Sequence, residues 1–218
     1  MKSIFQAGRR AVLMAGLLAC VAGALPAVAQ TSTQGFDVLS PSQMTSVPAG
    51  KVEVLEFFSY GCSHCNQLEP LFEDWQKKVG KDVVVKRVPV AFSGAWAPLQ
   101  KLYFTLEALG LGERLNGQVF RAIHNDNKKL HDEKVQLEWV VAQGVDRKKF
   151  QDMYASFTVQ SAVMRAQQLS KDYKINGVPT LAVAGRYTTS ATLTGSHEAA
   201  LAMVDQLIAR TRSEQGRK

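Results

Sequence analysis

Apolar residues along this chain switch between two rhythms. Residues 51–58, Lys-Val-Glu-Val-Leu-Glu-Phe-Phe, are β-branched and aromatic and run into Ser59-Tyr60-Gly61, which reads as a buried strand. From residue 62 the apolar positions fall at three- and four-residue steps. Leu68, Leu71, Phe72, Trp75 and Val79 make one helical face, and Gly80 stops it. Residues 82–90 return to a strand pattern. Strand, helix and strand over this length form a βαβ unit, which implies parallel pairing through a right-handed crossover. A short extra strand is expected near Phe36-Asp37-Val38-Leu39.

The middle of the chain is helical. Leu99, Leu102, Tyr103, Leu106 and Leu109 form one apolar face, closed by Gly110, and Leu115, Val119, Phe120 and Ile123 form another. Asp132 and Asp146 stand where N-caps of two further helices are needed. A long helix through Val159, Ala162, Val163, Ala166, Leu169 and Tyr173 is expected to end at Asn176-Gly177. A hairpin signal follows, residues 179–183 and 186–188 around Gly185, and then a last helix through Leu201, Val204, Leu207 and Ile208. The basic tail from Arg210 to Lys218 is expected to fray into solvent. The fold class is therefore α/β: one sheet with helices on both faces, built from residues 30–91 and 167–218, with residues 92–166 as an inserted helical domain.

Residues 1–29 have another character. Lys2, Arg9 and Arg10 precede an apolar stretch from Ala11 to Leu25, and Ala27-Val28-Ala29 offers a small-residue cleavage site. This reads as a secretory signal peptide, too short and wrongly flanked for a membrane anchor. Its removal lowers the formal net charge from +7 to +4. The remaining charge is evenly spread, without the dense basic run that nucleic-acid binding needs. Export to a bacterial periplasm is the simplest inference.

Removal of the signal also takes Cys20, leaving Cys62 and Cys65 with only each other as intramolecular partners in an oxidising compartment. As a structural staple this small loop would contribute on the order of 2 kcal/mol, which a domain of this size does not need. The pair's location suggests chemistry instead. Cys62 stands where a strand turns into a helix, and the unpaired N–H groups and positive dipole end there stabilise a thiolate. Cys65, one turn on, starts deeper and is placed to be the buried resolving thiol. His64 can offer the Cys62 thiolate a hydrogen bond or a positive charge. A haem site would need His at position 66, which is Asn66, and no second ligand pair completes a zinc site. No metal or tightly bound cofactor is expected.

Two further features surround this motif. Glu56 interrupts an apolar strand six residues before Cys62 and can serve as a buried proton acceptor for Cys65, with Lys86 on the next strand as its partner. Pro179 opens a strand, where it need not donate to the sheet. A cis Val178–Pro179 bond would turn the Val178 backbone toward a substrate strand, although the residues alone leave the isomer open.

Phe57-Phe58-Ser59-Tyr60-Gly61-Cys62-Ser63-His64-Cys65, Leu68-Glu69-Pro70, the helical insertion and then Gly177-Val178-Pro179-Thr180 together resemble the DsbA family of periplasmic disulfide-introducing oxidases. The resemblance implies a thioredoxin-like fold with the insertion capping the active site. It implies Cys62 as the thiol that forms mixed disulfides, Cys65 as its partner, and Val178 and Pro179 as the facing cis-proline loop. Glu56 and Lys86 match the family's buried acid and its lysine neighbour. Substrates would be reduced exported polypeptides, and reoxidation would come from the membrane partner DsbB. Ser63 departs from the proline of the family's best-known motif, so oxidant strength is open. A reductant or isomerase on the same fold is the nearest alternative, although residues 30–50 leave no room for a separate dimerisation domain, and a monomer is expected. A peptide-binding chaperone whose cysteines are incidental is a different class of reading.

Overall fold

The computed structural model describes residues 34–216. The expected signal peptide and Cys20 lie outside the described residues. The sheet is built outward from β2 (Val52–Phe58), every residue of which is buried. It pairs in parallel with β3 (Val83–Pro89) through the connecting helix α1 (Ser63–Lys78), as the βαβ pattern requires. On its other side it pairs antiparallel with β4 (Thr180–Val183), which continues to β5 (Tyr187–Thr189) and the two-residue β1 (Asp37–Val38). The strand order is β1-β5-β4-β2-β3.

Because side chains alternate along a strand, β2 feeds two cores. Val52 and Val54 pack with Leu68 and Phe72 of α1 and with Leu201, Val204 and Leu207 of the last helix, α8 (His197–Gln215), which follows the one-turn α7 (Ala191–Thr194). Leu55 and Phe57 point to the opposite face, against Ala166 and Leu169 of α6 (Phe157–Asp172). A third core belongs to the helical block. There Leu102, Leu106, Leu115 and Phe120 of α2 (Ala97–Ala108) and α3 (Gly112–His124) enclose Phe58, Tyr60 and Cys65 from the sheet side. The block is completed by α4 (Glu133–Ala142) and α5 (Arg147–Tyr154), whose N-caps are Asp132 and Asp146 as the sequence predicts. α6 crosses residue 166 without a break, so the boundary expected there falls inside a helix that serves the sheet and the helical block alike.

Two expected ends differ from the structure. α6 stops at Asp172 rather than at Asn176-Gly177. Lys174 takes φ 54°, and Ile175 N–H donates back to the Ser170 carbonyl. Ile175 then packs near Leu169 on the sheet core, and this apolar contact of the helix-stop motif outweighs the glycine signal two residues later. As far as it is described, the basic tail does not fray either. α8 continues to Gln215, with Thr211 buried, Arg212 paired to Asp82 at 2.8 Å, and Arg186 and Arg210 both paired to Glu214. Among the described residues no helix is long and apolar enough to cross a membrane.

The β4–β5 hairpin turns on Ala184 and Gly185, at φ 53° and 67°. Positive φ at both central residues gives the turn whose twist matches the strands. The N-terminal segment is laid over this turn, with Gln43 N–H donating to the Gly185 carbonyl at 2.7 Å. A Cβ on Gly185 would lie 2.0 Å from the Gln43 carbonyl oxygen. Gly185→Ala is therefore expected to destabilise the protein by about 2 kcal/mol or more, read as a lowered urea midpoint at unchanged slope.

Candidate active site

Cys62 is the N-cap of α1, in extended conformation, and the first turn closes with Asn66 N–H on its carbonyl. Behind it Gly61 lets Trp96 and Leu99 close in, since a Cβ there would already stand 3.3 Å from each. Both cysteines are free thiols, Cys62 half-buried and Cys65 fully buried. The Cys62 Sγ donates to the Val178 carbonyl at 3.3 Å, and the Val178–Pro179 bond, left open by the sequence, is cis. The order of reactivity expected from the motif thus has a geometric basis: one sulfur at the surface on a helix start, the other one turn deeper.

The electrostatics separate the two thiols further. Cys62 is lowered to about 6, chiefly by the hydrogen bond from the Cys65 thiol. Burial opposes this, while the backbone N–H groups of Cys65 and His64 and the His64 charge add to it. His64 itself is exposed, its Nδ1 3.2 Å from Gln67 Oε1, and it acts on Cys62 more through its backbone and its charge than through a side-chain bond. Cys65 is pushed far up, first by burial and then by the hydrogen bond and charge of Cys62.

Glu56 lies under this pair with no solvent exposure, and its charge contributes to raising Cys65. Its partner is not Lys86. In the β2–β3 register Glu56 stands opposite Arg87, while Lys86 stands opposite Leu55 and points to the other face of the sheet. There Lys86 pairs with Glu53 at 2.8 Å and donates to Ser46 Oγ at 2.6 Å. Strand alternation decides this, since residues 86 and 87 cannot share a face. Arg87 Nε approaches Glu56 at 3.3 Å without hydrogen-bond geometry, leaving both carboxylate oxygens of Glu56 buried and unbonded. The guanidinium is committed instead to Glu69 of α1, with Nη1 donating to both oxygens at 2.9 and 2.8 Å. Burial raises Glu56 to about 7 despite Arg87, with the Glu69 and Glu73 charges adding to the shift. Asn116 of α3 donates to Glu69 and accepts from the Tyr60 hydroxyl at 2.7 Å, so the network reaches the helical block.

Sequence reasoning did not single out Arg87, Asn116 or a role for Glu69. Arg87 follows from the β2–β3 register, and Glu69 and Asn116 from the packing of α1 against α3, neither of which a local pattern reveals. A groove of about 690 Å³ opens at the cis-proline loop, lined by His64, Val178 and Pro179 and also by Thr192, Leu193 and His197. Among the described residues no cluster of His, Cys, Asp or Glu could hold a metal ion.

The chain is similar to known proteins. Residues 53–202 match the model of the DSBA-like thioredoxin domain family. The thiol:disulfide interchange protein DsbA of Bordetella parapertussis is 46% identical over 202 residues, 92% of this chain and 96% of that protein. The protein of the same name from Pseudomonas aeruginosa is 34% identical over 94% of this chain and 98% of its own length. A crystal structure of Pseudomonas aeruginosa DsbA superposes with a TM-score of 0.80 at 35% identity, covering 84% of this chain and 95% of that one.

Two outcomes are expected from the site's electrostatics. Thiolate absorbance of the reduced protein should titrate Cys62 near pH 6, and Cys65→Ala should move that midpoint upward by more than His64→Ala does. Glu56 keeps its proton in the folded chain to about pH 7, whereas the unfolded chain loses it near 4.5. Between these values the unfolded state binds fewer protons, so stability falls as pH rises, by about 3 kcal/mol for this group. Denaturant titrations of the reduced protein should show Glu56→Gln removing that share of the fall.

Proposed function

The chain belongs to the family of DsbA-like thioredoxin domains, and from that premise we propose that it oxidises the thiols of exported polypeptides in the periplasm by donating a Cys62–Cys65 disulfide. That it is a thiol:disulfide oxidoreductase follows from the family and its relatives. The observation that carries the proposal is the asymmetry of the two thiols, one ionised near neutrality at a helix start and one held protonated in the core.

A substrate thiolate attacks Sγ of Cys62. The bond between the two cysteine sulfurs breaks, a mixed disulfide forms at Cys62, and the electron pair leaves on Cys65. The Cys65 thiolate has no water to stabilise it and takes a proton, which Glu56 holds at neutral pH. A second substrate thiolate then attacks the substrate's own sulfur. Cys62 departs as a thiolate, a good leaving group because it is stable near pH 6. Substrate is left with a disulfide and the protein with a dithiol. Val178 and Pro179 would hold the substrate strand beside Cys62, and His64 supports the thiolate. Lys86 is assigned no role in the exchange, since it lies on the other face. The helical segment 92–166 caps the site, supported by the packing of Cys65 and Phe58 among its side chains. Reoxidation falls to the membrane oxidase DsbB, and the export segment at residues 1–29 supports a periplasmic location. The protein acts as a monomer.

Each pKa unit by which Cys62 lies below ambient pH makes the couple more oxidising by roughly 30 mV. Equilibration of the purified protein with glutathione is expected to give a potential above the roughly −270 mV of thioredoxin. Cys62→Ser should abolish oxidation of a reduced peptide, and Cys65→Ala, offered a disulfide-linked peptide, should trap a mixed disulfide as Cys62 attacks it and one peptide thiol is released. A potential at or below thioredoxin's would make the protein a reductant.

A further inference from the structure

His197 occupies a place that exchange between the two cysteines does not explain. It is the first residue of α8, following the N-cap Ser196, whose Oγ accepts from Ala199 N–H at 3.0 Å. Its ring centroid lies 6.3 Å from that of His64, and both side chains line the groove that runs to Val178 and Pro179. Val178 is the residue whose carbonyl receives the Cys62 Sγ–H at 3.3 Å, so the groove reaches the direct hydrogen-bond partner of the reacting sulfur. The other charged residues of its walls are Asp37 and Lys174. Hydroxyl side chains such as Thr180, Thr188 and Thr192 supply much of the remainder.

We propose that His197 is the proton acceptor for the incoming substrate thiol. The inference rests on the disulfide-donating function above and adds a residue to it. An alkyl thiol has a pKa of about 8.5, so only a few per cent is nucleophilic thiolate at neutral pH. A neutral imidazole in the entry groove removes that limitation. As the substrate S–H bond breaks, its proton passes to the ring nitrogen. The sulfur bonds to Cys62 Sγ, the Cys62–Cys65 bond breaks, and the electron pair goes to Cys65. The imidazolium then gives its proton to water when the product leaves.

The surroundings keep His197 neutral and ready. Burial lowers it below the usual histidine value, the neighbouring His64 lowers it further, and Glu198 on its own helix opposes both. The N-terminal end of the α8 dipole also disfavours a cation. The same forces expel the proton once it has been taken, which resets the base. His64 is the poorer candidate, because its Nδ1 is engaged with Gln67 Oε1 and its charge already supports Cys62.

The test compares the parent protein with His197→Asn, each in the disulfide form, against two thiols. One is a peptide with an ordinary cysteine, and the other is an aryl thiol already ionised at neutral pH. For the peptide the variant should lose up to roughly thirtyfold in second-order rate at pH 7, the gain that full ionisation of such a thiol allows. The loss should shrink to nothing above about pH 9, where the peptide thiol ionises unaided. The aryl thiolate should react equally with both proteins, and added imidazole should restore part of the lost rate. An equal loss with both thiols, or one independent of pH, would make His197 merely structural and overturn the proposal, as would no loss at all. A parent protein that oxidises neither thiol would instead bring down the disulfide-donating function itself.

Discussion

An anion on Cys65 has no water around it, and this constraint organises the ground beneath the active site. The sulfur is enclosed by Phe58, Tyr60 and the apolar faces of α2 and α3, so the charge it acquires as a leaving group must be cancelled from within the protein. In the mechanism proposed above Glu56 answers that need, and it is equally dry. A carboxyl group exposed to water would be ionised well below neutral pH and would have no proton to give. Arg87 keeps the balance from going too far. It offsets part of the desolvation of Glu56 while remaining hydrogen-bonded to Glu69, so it draws the carboxyl group toward ionisation without fully neutralising it.

β2 carries two carboxylates, and the alternation of its side chains gives each a separate task. Glu56 faces α1 and lies beneath the cysteines, against Arg87. Glu53 faces the other way and, with Lys86 and Ser46, ties the N-terminal segment to the sheet. The second ion pair is half exposed at its lysine end, where such pairs contribute little to stability. Its value is positional: it holds the segment between β1 and β2, which lies across the hairpin turn. The Tyr60–Asn116–Glu69 chain is the counterpart on the first face, tying the helical block to α1 through buried polar groups that each have a partner.

Much of this was legible in the order of residues. The βαβ unit, the hairpin at Gly185, the caps at Asp132 and Asp146 and the position of Cys62 at a strand-to-helix junction all rest on local signals, and local signals survive folding. The errors came where tertiary contacts decide. Asn176-Gly177 looks like a helix stop, yet Ile175 finds the core first and ends α6 earlier. Residues 210–215 read as a loose basic tail because their acidic partners, Asp82 and Glu214, are separated from them by other elements or hidden in the same polar run. Lys86 and Arg87 are adjacent in sequence, and only the strand register tells which of them meets Glu56. A groove histidine such as His197 has no signature of its own, since its meaning comes from what the fold sets beside it.

The unbroken course of α6 has a bearing on how such a molecule can be rebuilt. One end of the helical block joins the sheet through a short non-regular stretch after Pro89, where a splice would disturb little. The other end has no comparable joint, because a single rod begins among the block's helices and finishes against Leu55 and Phe57. Chimaeras that graft the block from one relative onto the sheet of another would fare best with α6 and its sheet-facing side chains inherited from the same parent. Cutting at the middle of that rod would set two unmatched halves of one surface against each other.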